Sequence, residues 1–360
     1  MLVKKLWHDE GGTMEISPHK IMFLECVNAY SGAENISLSI ADMLINRGYE
    51  VVFCSPHGTI DEYISKHFPR VKHHVIPKFN LIEAIKAIRA ERPDIVHCVD
   101  YRVSMLLSLT HYPYVAHLHN NPTWIRKRSI FTLFLLHTLN KSIGNILVSD
   151  SIYKEFVYHE HIHNRTETLL NIVDKEKVVK NAQENIGEEF EIGYFGRITP
   201  QKNPMRFLSI VDKLSKKMPG LRAVVVGKSD GTYDSEWNAY ISEHKLTIKA
   251  VGFQENPYKY MKACKIVLMP SLWEGFGLTA VEAMILGVPV LSTDVGGLID
   301  VQQGTGNICN TDDEFIERAV FLLSNPKAYE ENSRLVQKSS DRFTDIDTYI
   351  EKVIAIYNGK

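Results

Sequence analysis

Short, continuous apolar runs alternate with segments whose apolar residues recur every three or four positions along nearly the whole chain. Strand-like runs are residues 20–27 (KIMFLECV), 50–54, 71–76, 94–99, 114–118 and 145–149. Between them, Ile36, Ile40 and Leu44 share one face of a helix that Gly48 ends. Leu81, Ile85 and Ile88 mark another, which stops before Pro93. Strands that are apolar throughout, rather than at alternate positions, are buried on both faces. Separated by helices, they predict a parallel sheet with helices on either side.

The pattern breaks at residues 174–191 (DKEKVVKNAQENIGEEFE), which are dense in charge and poor in apolar side chains and read as a connector. Strands then resume at 192–195, 222–226, 248–251, 266–269 and 288–292. The predicted class is α/β, with two Rossmann-like parallel-sheet domains facing a cleft. They span residues 1–173 and 191–342, joined by a linker at 174–190, and a C-terminal helix at 343–360 returns to the first domain. Ligands of such domains bind at the carboxyl ends of the strands.

Composition changes this picture little. A length of 360 residues suits two domains, and 44% apolar with 23% charged residues excludes a disordered or fibrous chain. Lys and Arg total 41 against 43 for Asp and Glu, a net charge of -2, which argues against a nucleic-acid-binding protein. Cys26, Cys54, Cys98, Cys264 and Cys309 form no C-x-x-C pair and read as buried thiols in a reducing compartment. Residues 1–20 lack the apolar core of a leader peptide, since Asp9 and Glu10 interrupt it, and Met14 is an alternative start. No run reaches the roughly 18 apolar residues of a spanning helix. The longest, 129–139 (SIFTLFLLHTL), stops at Asn140 and Lys141. The expected location is cytoplasmic, free or peripheral on the inner face of the cell membrane.

Candidate chemistry concentrates in the second half. The strand IGYF runs into Gly196 and Arg197, then a loop with Lys202, then Asn203 as the expected N-cap and Pro204 opening a helix. Two cations at the mouth of a strand–helix turn either hold a diphosphate or are ordinary loop charges. In residues 270–290 (PSLWEGFGLTAVEAMILGVPV), a strand ends at Pro270 and a loop carries Glu274, Gly275, Phe276 and Gly277 before a helix starts near Leu278. The glycines let backbone approach a ligand, and the helix start presents free N–H groups to an anion. Leu278, Val281 and Ile285 make the buried stripe. Glu282, a turn into that helix, needs a partner, which a ribose diol or a salt-bridging cation supplies.

Glu274 and Glu282, with seven residues between them and preceded by GRITPQKNP, resemble the motif of the retaining glycosyltransferases of family 4, which have the GT-B fold. Residues 31–52 (SGAENISLSIADMLINRGYEVV) are similar to the family's opening loop and helix. The resemblance implies Arg197 and Lys202 on the donor diphosphate beside Gly196, Glu274 near the transferred sugar and Glu282 on the ribose. It implies the backbone of Gly275, Phe276, Gly277 and Leu278 on sugar and phosphate, and Phe253 (in AVGFQEN) beside the base. Gly32 and His119 (in AHLHNNP) match positions near the reacting sugar, and Glu274, His119, Arg197 and Lys202 are the implied catalytic set. Departures are Ser31-Gly32 for a glycine pair, Asn35 where Arg is common, Ile172 in NIVD where Gly is usual, and Asp300 where Glu is usual. They bear on the acceptor side more than on the donor side.

The implied activity is hexosyl transfer from a UDP- or GDP-linked sugar to a glycan or lipid-linked acceptor in cell-surface polysaccharide synthesis. Negative charge developing on the leaving phosphate would meet Arg197, Lys202 and a helix N-terminus. No metal or other cofactor is expected. The single D-x-D, Asp345 to Asp347, lies in the C-terminal stretch and reads as a solvated helix start. Two alternatives stay open: another GT-B sugar-nucleotide enzyme (an epimerase or phosphorylase), and a non-catalytic sugar-nucleotide-binding module.

Three further features carry weaker signals. Residues 159–163 (HEHIH) match H-E-x-x-H, at the end of a short helix broken by Asn164 and Arg165. His117 and His119 would share one face of a strand, as a core pair or as metal ligands, and His73-His74 end a surface strand. Trp124, Arg126, Lys127 and Arg128 precede the apolar run at 129–139. That segment is either a core helix with a solvated basic start or one lying on an anionic membrane.

Overall fold

The computed structural model describes residues 18–29 and 31–359; the leader and Met14 readings concern residues 1–17 and lie outside them. A seven-stranded sheet holds β1 (Lys20–Leu24), β2 (Glu50–Pro56), β3 (Lys72–Ile76), β4 (Ile95–Cys98), β5 (Tyr114–Leu118), β6 (Gly144–Leu147) and β7 (Thr166–Thr168). A five-stranded sheet holds β8 (Phe190–Phe195), β9 (Ala223–Val226), β10 (Ile248–Gly252), β11 (Cys264–Met269) and β12 (Val290–Ser292). Their orders are β3-β2-β1-β4-β5-β6-β7 and β10-β9-β8-β11-β12, and the strand pairs are parallel. Every residue of β4, β5 and β6 is buried, which is why these runs are apolar without alternation. Strand order reverses between β1 and β4 and between β8 and β11, and these two switch points open toward the cleft between the domains.

The C-terminal helix Ile346–Tyr357 packs on the first domain. Tyr349, Ile350, Val353 and Ile356 are buried in one apolar cluster with Ile21 and Phe23 of β1 and Leu38 and Ile40 of helix Gly32–Asn46. Gly144 of β6 leaves room for Ile356, whose Cγ2 would stand 2.7 Å from an added Cβ. Asp345 caps this helix by accepting from the Thr348 N–H at 3.0 Å.

Five local features differ from the sequence reading. The charged connector contains helix Lys175–Asn181. Asp174 caps it by accepting from the Lys177 N–H at 2.9 Å, and Val178 is buried, so one apolar side chain and a cap suffice. The polar segment β7 lacks a strand pattern and forms by pairing with β6. Asn203 has φ 50° and makes no side-chain cap, because Pro200–Lys202 is a 3-10 turn that delivers it in the left-handed region before helix Pro204–Lys217. Residues 159–161 are a 3-10 turn and Ile162 is extended, so His159 and His163 share no α-helical face. His73 and His74 lie within β3 rather than idle at its end: His73 Nε2 meets Ser55 Oγ at 2.9 Å and His74 Nδ1 meets Glu91 Oε1 at 2.8 Å.

Candidate active site

The loops after β8 and β11 bring the second-domain candidates together. Lys202 Nζ donates to Glu274 Oε1 at 2.5 Å, and Ser271 Oγ donates to the same oxygen at 2.8 Å. Glu274 is only 5% exposed, so the pair needs these two bonds to offset desolvation. Gln201 ties the loops further: its side chain donates to the Trp273 carbonyl at 3.0 Å, and its own carbonyl accepts from the Leu272 N–H at 2.8 Å. Arg197 sits beside it, with Nη2 3.5 Å from Gln201 Oε1. Gly196 lets the Lys202 stem pass, with Cε 3.4 Å from an added Cβ.

Gly277 has φ +104° and leads directly into helix Leu278–Ile285, where its carbonyl accepts from the Ala280 N–H at 2.9 Å. Phe276 turns its ring into the core against Phe343, 5.6 Å between centroids, leaving only its backbone to the loop. Glu282 is partly buried and accepts from the Tyr258 hydroxyl at 3.0 Å. Burial pushes its carboxyl up to about 7, against the opposing effects of the Tyr258 bond and the Lys177 charge. Phe253 follows β10 at its carboxyl end and is 64% exposed, a free aromatic face.

The first domain meets this site across the cleft. An added Cβ on Gly275 would fall 1.9 Å from the His119 carbonyl oxygen, and one on Gly32 would fall 3.2 Å from Leu278 Cδ1. His119 is 8% exposed, and neither of its ring nitrogens has a hydrogen-bond partner. Burial lowers its pKa to about 3, so it stands neutral, able to donate from one nitrogen and accept at the other. Its ring stacks on His117 with centroids 3.9 Å apart. His117 Nδ1 is 2.9 Å from His97 Nε2, and His97 Nδ1 is 2.7 Å from the Tyr357 hydroxyl, a buried chain leading to the C-terminal helix.

Sequence reasoning missed Ser271, Tyr258, Glu25 and this histidine chain. Ser271 is three residues from Glu274, a local signal that was available; Tyr258 and Tyr357 are distant in sequence and gave none. Glu25, just after β1, is buried and accepts from the N–H groups of Cys26 and Val27 at 2.6 and 3.1 Å. Burial, then the neighbouring Glu34, push its carboxyl up to about 8. Among the described residues no three His, Cys, Asp or Glu side chains converge as a metal site.

The family profile described as Glycosyltransferase Family 4 matches residues 30–177, and that described as Glycosyl transferases group 1 matches residues 176–341. The lipopolysaccharide core biosynthesis mannosyltransferase LpsB of Rhizobium meliloti is 30% identical over 180 residues, 47% of this chain and 51% of that protein. A UDP-Gal:alpha-D-GlcNAc-diphosphoundecaprenol alpha-1,3-galactosyltransferase of Escherichia coli is 23% identical over 312 residues, 77% of this chain and 80% of that one. The match to LpsB thus spans about half of that relative's length. The crystal structure of Anabaena HepE in complex with UDP and glucose superposes with a TM-score of 0.79 at 20% identity, covering 93% of this chain and 98% of HepE. Two parallel-sheet domains in this arrangement are the GT-B fold, and the two profiles together run from residue 30 to residue 341. The chain belongs to the family 4 glycosyltransferases.

Proposed function

We propose that this chain is a retaining hexosyltransferase that takes a sugar from a UDP- or GDP-linked donor and passes it to a glycan or lipid-linked acceptor at the cytoplasmic face of a membrane, in cell-surface polysaccharide synthesis. The observation that carries the reading is the Lys202–Glu274 pair, held at the mouth of the second sheet on a loop whose next residue, Gly275, packs against the His119 backbone carbonyl of the first domain. In this reading the residues after 190 bind the donor and the residues before 174 receive the acceptor. Arg197 and Lys202 hold the diphosphate with the N–H groups at Leu278, and Glu282 accepts from ribose hydroxyls. Phe253 stacks on the base and His119 bonds the sugar.

The bond from the anomeric carbon to the diphosphate oxygen breaks as the bond to the acceptor oxygen forms, and the acceptor hydroxyl passes its proton to the departing diphosphate oxygen. Charge left on the diphosphate is met by protein cations already in place, so no metal is required for that step. The relatives named for mannosyl and galactosyl transfer, and the UDP bound by HepE, support this donor class.

A melting-temperature screen across UDP- and GDP-sugars, followed by a turnover assay with and without EDTA, tests the reading. One donor class should raise the melting temperature by several degrees. Its nucleoside diphosphate should be released in the presence of acceptor, with EDTA changing nothing and the product keeping the donor's anomeric configuration. Binding without turnover would make the chain a non-catalytic sugar-nucleotide module, and loss of activity on chelation would end the metal-free step.

A further inference from the structure

We propose that the outer face of helix Ile130–Lys141, with the turn before it, docks on an anionic lipid bilayer. Its first turn carries three apolar side chains into solvent: Ile130 is 87% exposed, Phe131 64% and Leu133 50%. Packing does not require them there, since Thr132, Leu135, Thr138 and Leu139 already make the buried face. The turn is firmly built. Ser129 Oγ accepts from the Thr132 N–H at 3.1 Å, and Thr132 Oγ1 accepts from the Ser129 N–H at 2.9 Å. Phe131 lies edge-on to Trp124 with centroids 5.9 Å apart, and Trp124 lies edge-on to Tyr101 at 5.3 Å. Together they form one ledge above an open recess of about 740 Å³ that Arg102 also lines.

Charge selects the occupant. From Tyr101 to Ser149 the sequence holds no Asp or Glu, yet it holds Arg102, Arg126, Lys127, Arg128 and Lys141, in a chain whose net charge is -2. Arg102 pairs with Asp100 and Arg126 with Glu155, each at 2.8 Å. Lys127 is exposed and has no ion-pair partner among the described residues, and Arg128 lies only over the Tyr158 ring, 6.0 Å from its centroid. A second copy of this chain would set like charges against each other on this ledge. An anionic bilayer supplies both an apolar interior and negative charge. The inference rests on the cytoplasmic placement above only for the leaflet that is met, and does not depend on the donor.

The test mixes the full chain with phosphatidylcholine vesicles, with or without phosphatidylglycerol, and reads the bound fraction by sedimentation. Each unmatched cation near an anionic surface gives about fivefold in partitioning. Binding at low salt should therefore favour the anionic vesicles by about 25-fold, and added salt should release it. Lys127→Ser with Arg128→Ser should remove the preference, and Ile130→Gln, Phe131→Gln and Leu133→Gln together should abolish binding. All five side chains are exposed, so an unchanged melting temperature verifies folding. Equal uptake by both vesicle types, or wild-type uptake by the apolar triple variant, overturns the proposal. So does a wild-type dimer in sedimentation velocity that the triple variant dissolves, which would make the ledge a contact between copies. Sugar-nucleotide turnover with a soluble acceptor should be unchanged in both variants. Vesicle binding without any such turnover would leave the docking surface standing and defeat the enzymatic reading.

Discussion

Glu282 shows how burial prepares a carboxylate for a ligand. Its carboxyl titrates at about 7 in the folded protein and near ~4.3 in an unfolded chain. Between those values the folded state holds a proton that the unfolded state has released, so stability present at acid pH is lost as pH rises through about 7. Glu282→Gln should therefore match the wild type near pH 4 and exceed its stability by about 1–3 kcal/mol near pH 8, read by denaturant unfolding. In the proposed donor complex ribose hydroxyls donate to the ionised form, so wild-type donor affinity should rise through pH 7 while the variant's stays weak and flat. A variant with unchanged donor affinity would take Glu282 off the ribose. The histidine chain gives a second test. Burial holds the Tyr357 phenol protonated and lowers His97 to about 3. A protonated Tyr357 can donate to His97 Nδ1, and in that tautomer His97 Nε2–H donates to His117 Nδ1. Nitrogen NMR should show both imidazoles neutral as the Nε2–H tautomer at pH 6; an Nδ1–H signal for His97 would reverse the chain.

The strand–loop–helix from Cys264 to Ile285 carries the proposed donor side, and its tightest point is Gly275. An added methyl there meets the His119 backbone carbonyl at 1.9 Å, and no rotamer relieves a backbone contact. Gly275→Ala should hold the domains apart and lower kcat by about 100-fold or more, with nucleotide affinity changed only a few-fold by calorimetry. Near-normal turnover would show that the reacting geometry does not need this contact. The same element explains what a linear reading can reach. Its apolar run, Pro270, the glycines and the helical stripe all lie within a few residues of each other, so the turn and its chemistry are legible locally. The carboxylates themselves were legible too, but not what satisfies them: Glu282 meets Tyr258 from another helix, and Glu274 meets Lys202 from another loop. Asn203 read as a cap because residue preference is a prior, and the 3-10 turn before it sets the backbone instead. The helix at Lys175–Asn181 and the strand β7 were illegible because a single buried Val178 and a pairing edge, both tertiary, create them. The outward Ile130, Phe131 and Leu133 escaped for the opposite reason, since a run of apolar residues does not say which of them the fold leaves in water.

At the scale of the molecule, one buried apolar cluster runs through both domains, and the chain passes between them twice. Where it crosses, the Val173 N–H donates to the Phe343 carbonyl at 2.8 Å, joining the two passages near one pivot. Away from that pivot, Lys66 of helix Thr59–His67 reaches both oxygens of Glu255, beyond β10, at 3.0 and 2.8 Å. Deeper in the cleft, the Asp150 N–H donates to Asp300 Oδ2 at 3.1 Å. The Lys66–Glu255 pair is exposed on both sides, so it contributes little and is screened by salt. Lys66→Glu should then shift the free protein toward an open form with a larger radius of gyration by small-angle scattering. Lys66→Glu with Glu255→Lys should restore the compact form, and molar salt should erase the difference among all three proteins. If Lys66→Glu leaves the scattering unchanged at low salt, closure is held by the uncharged contacts between the domains, Gly275–His119 among them, and ionic strength will not govern it.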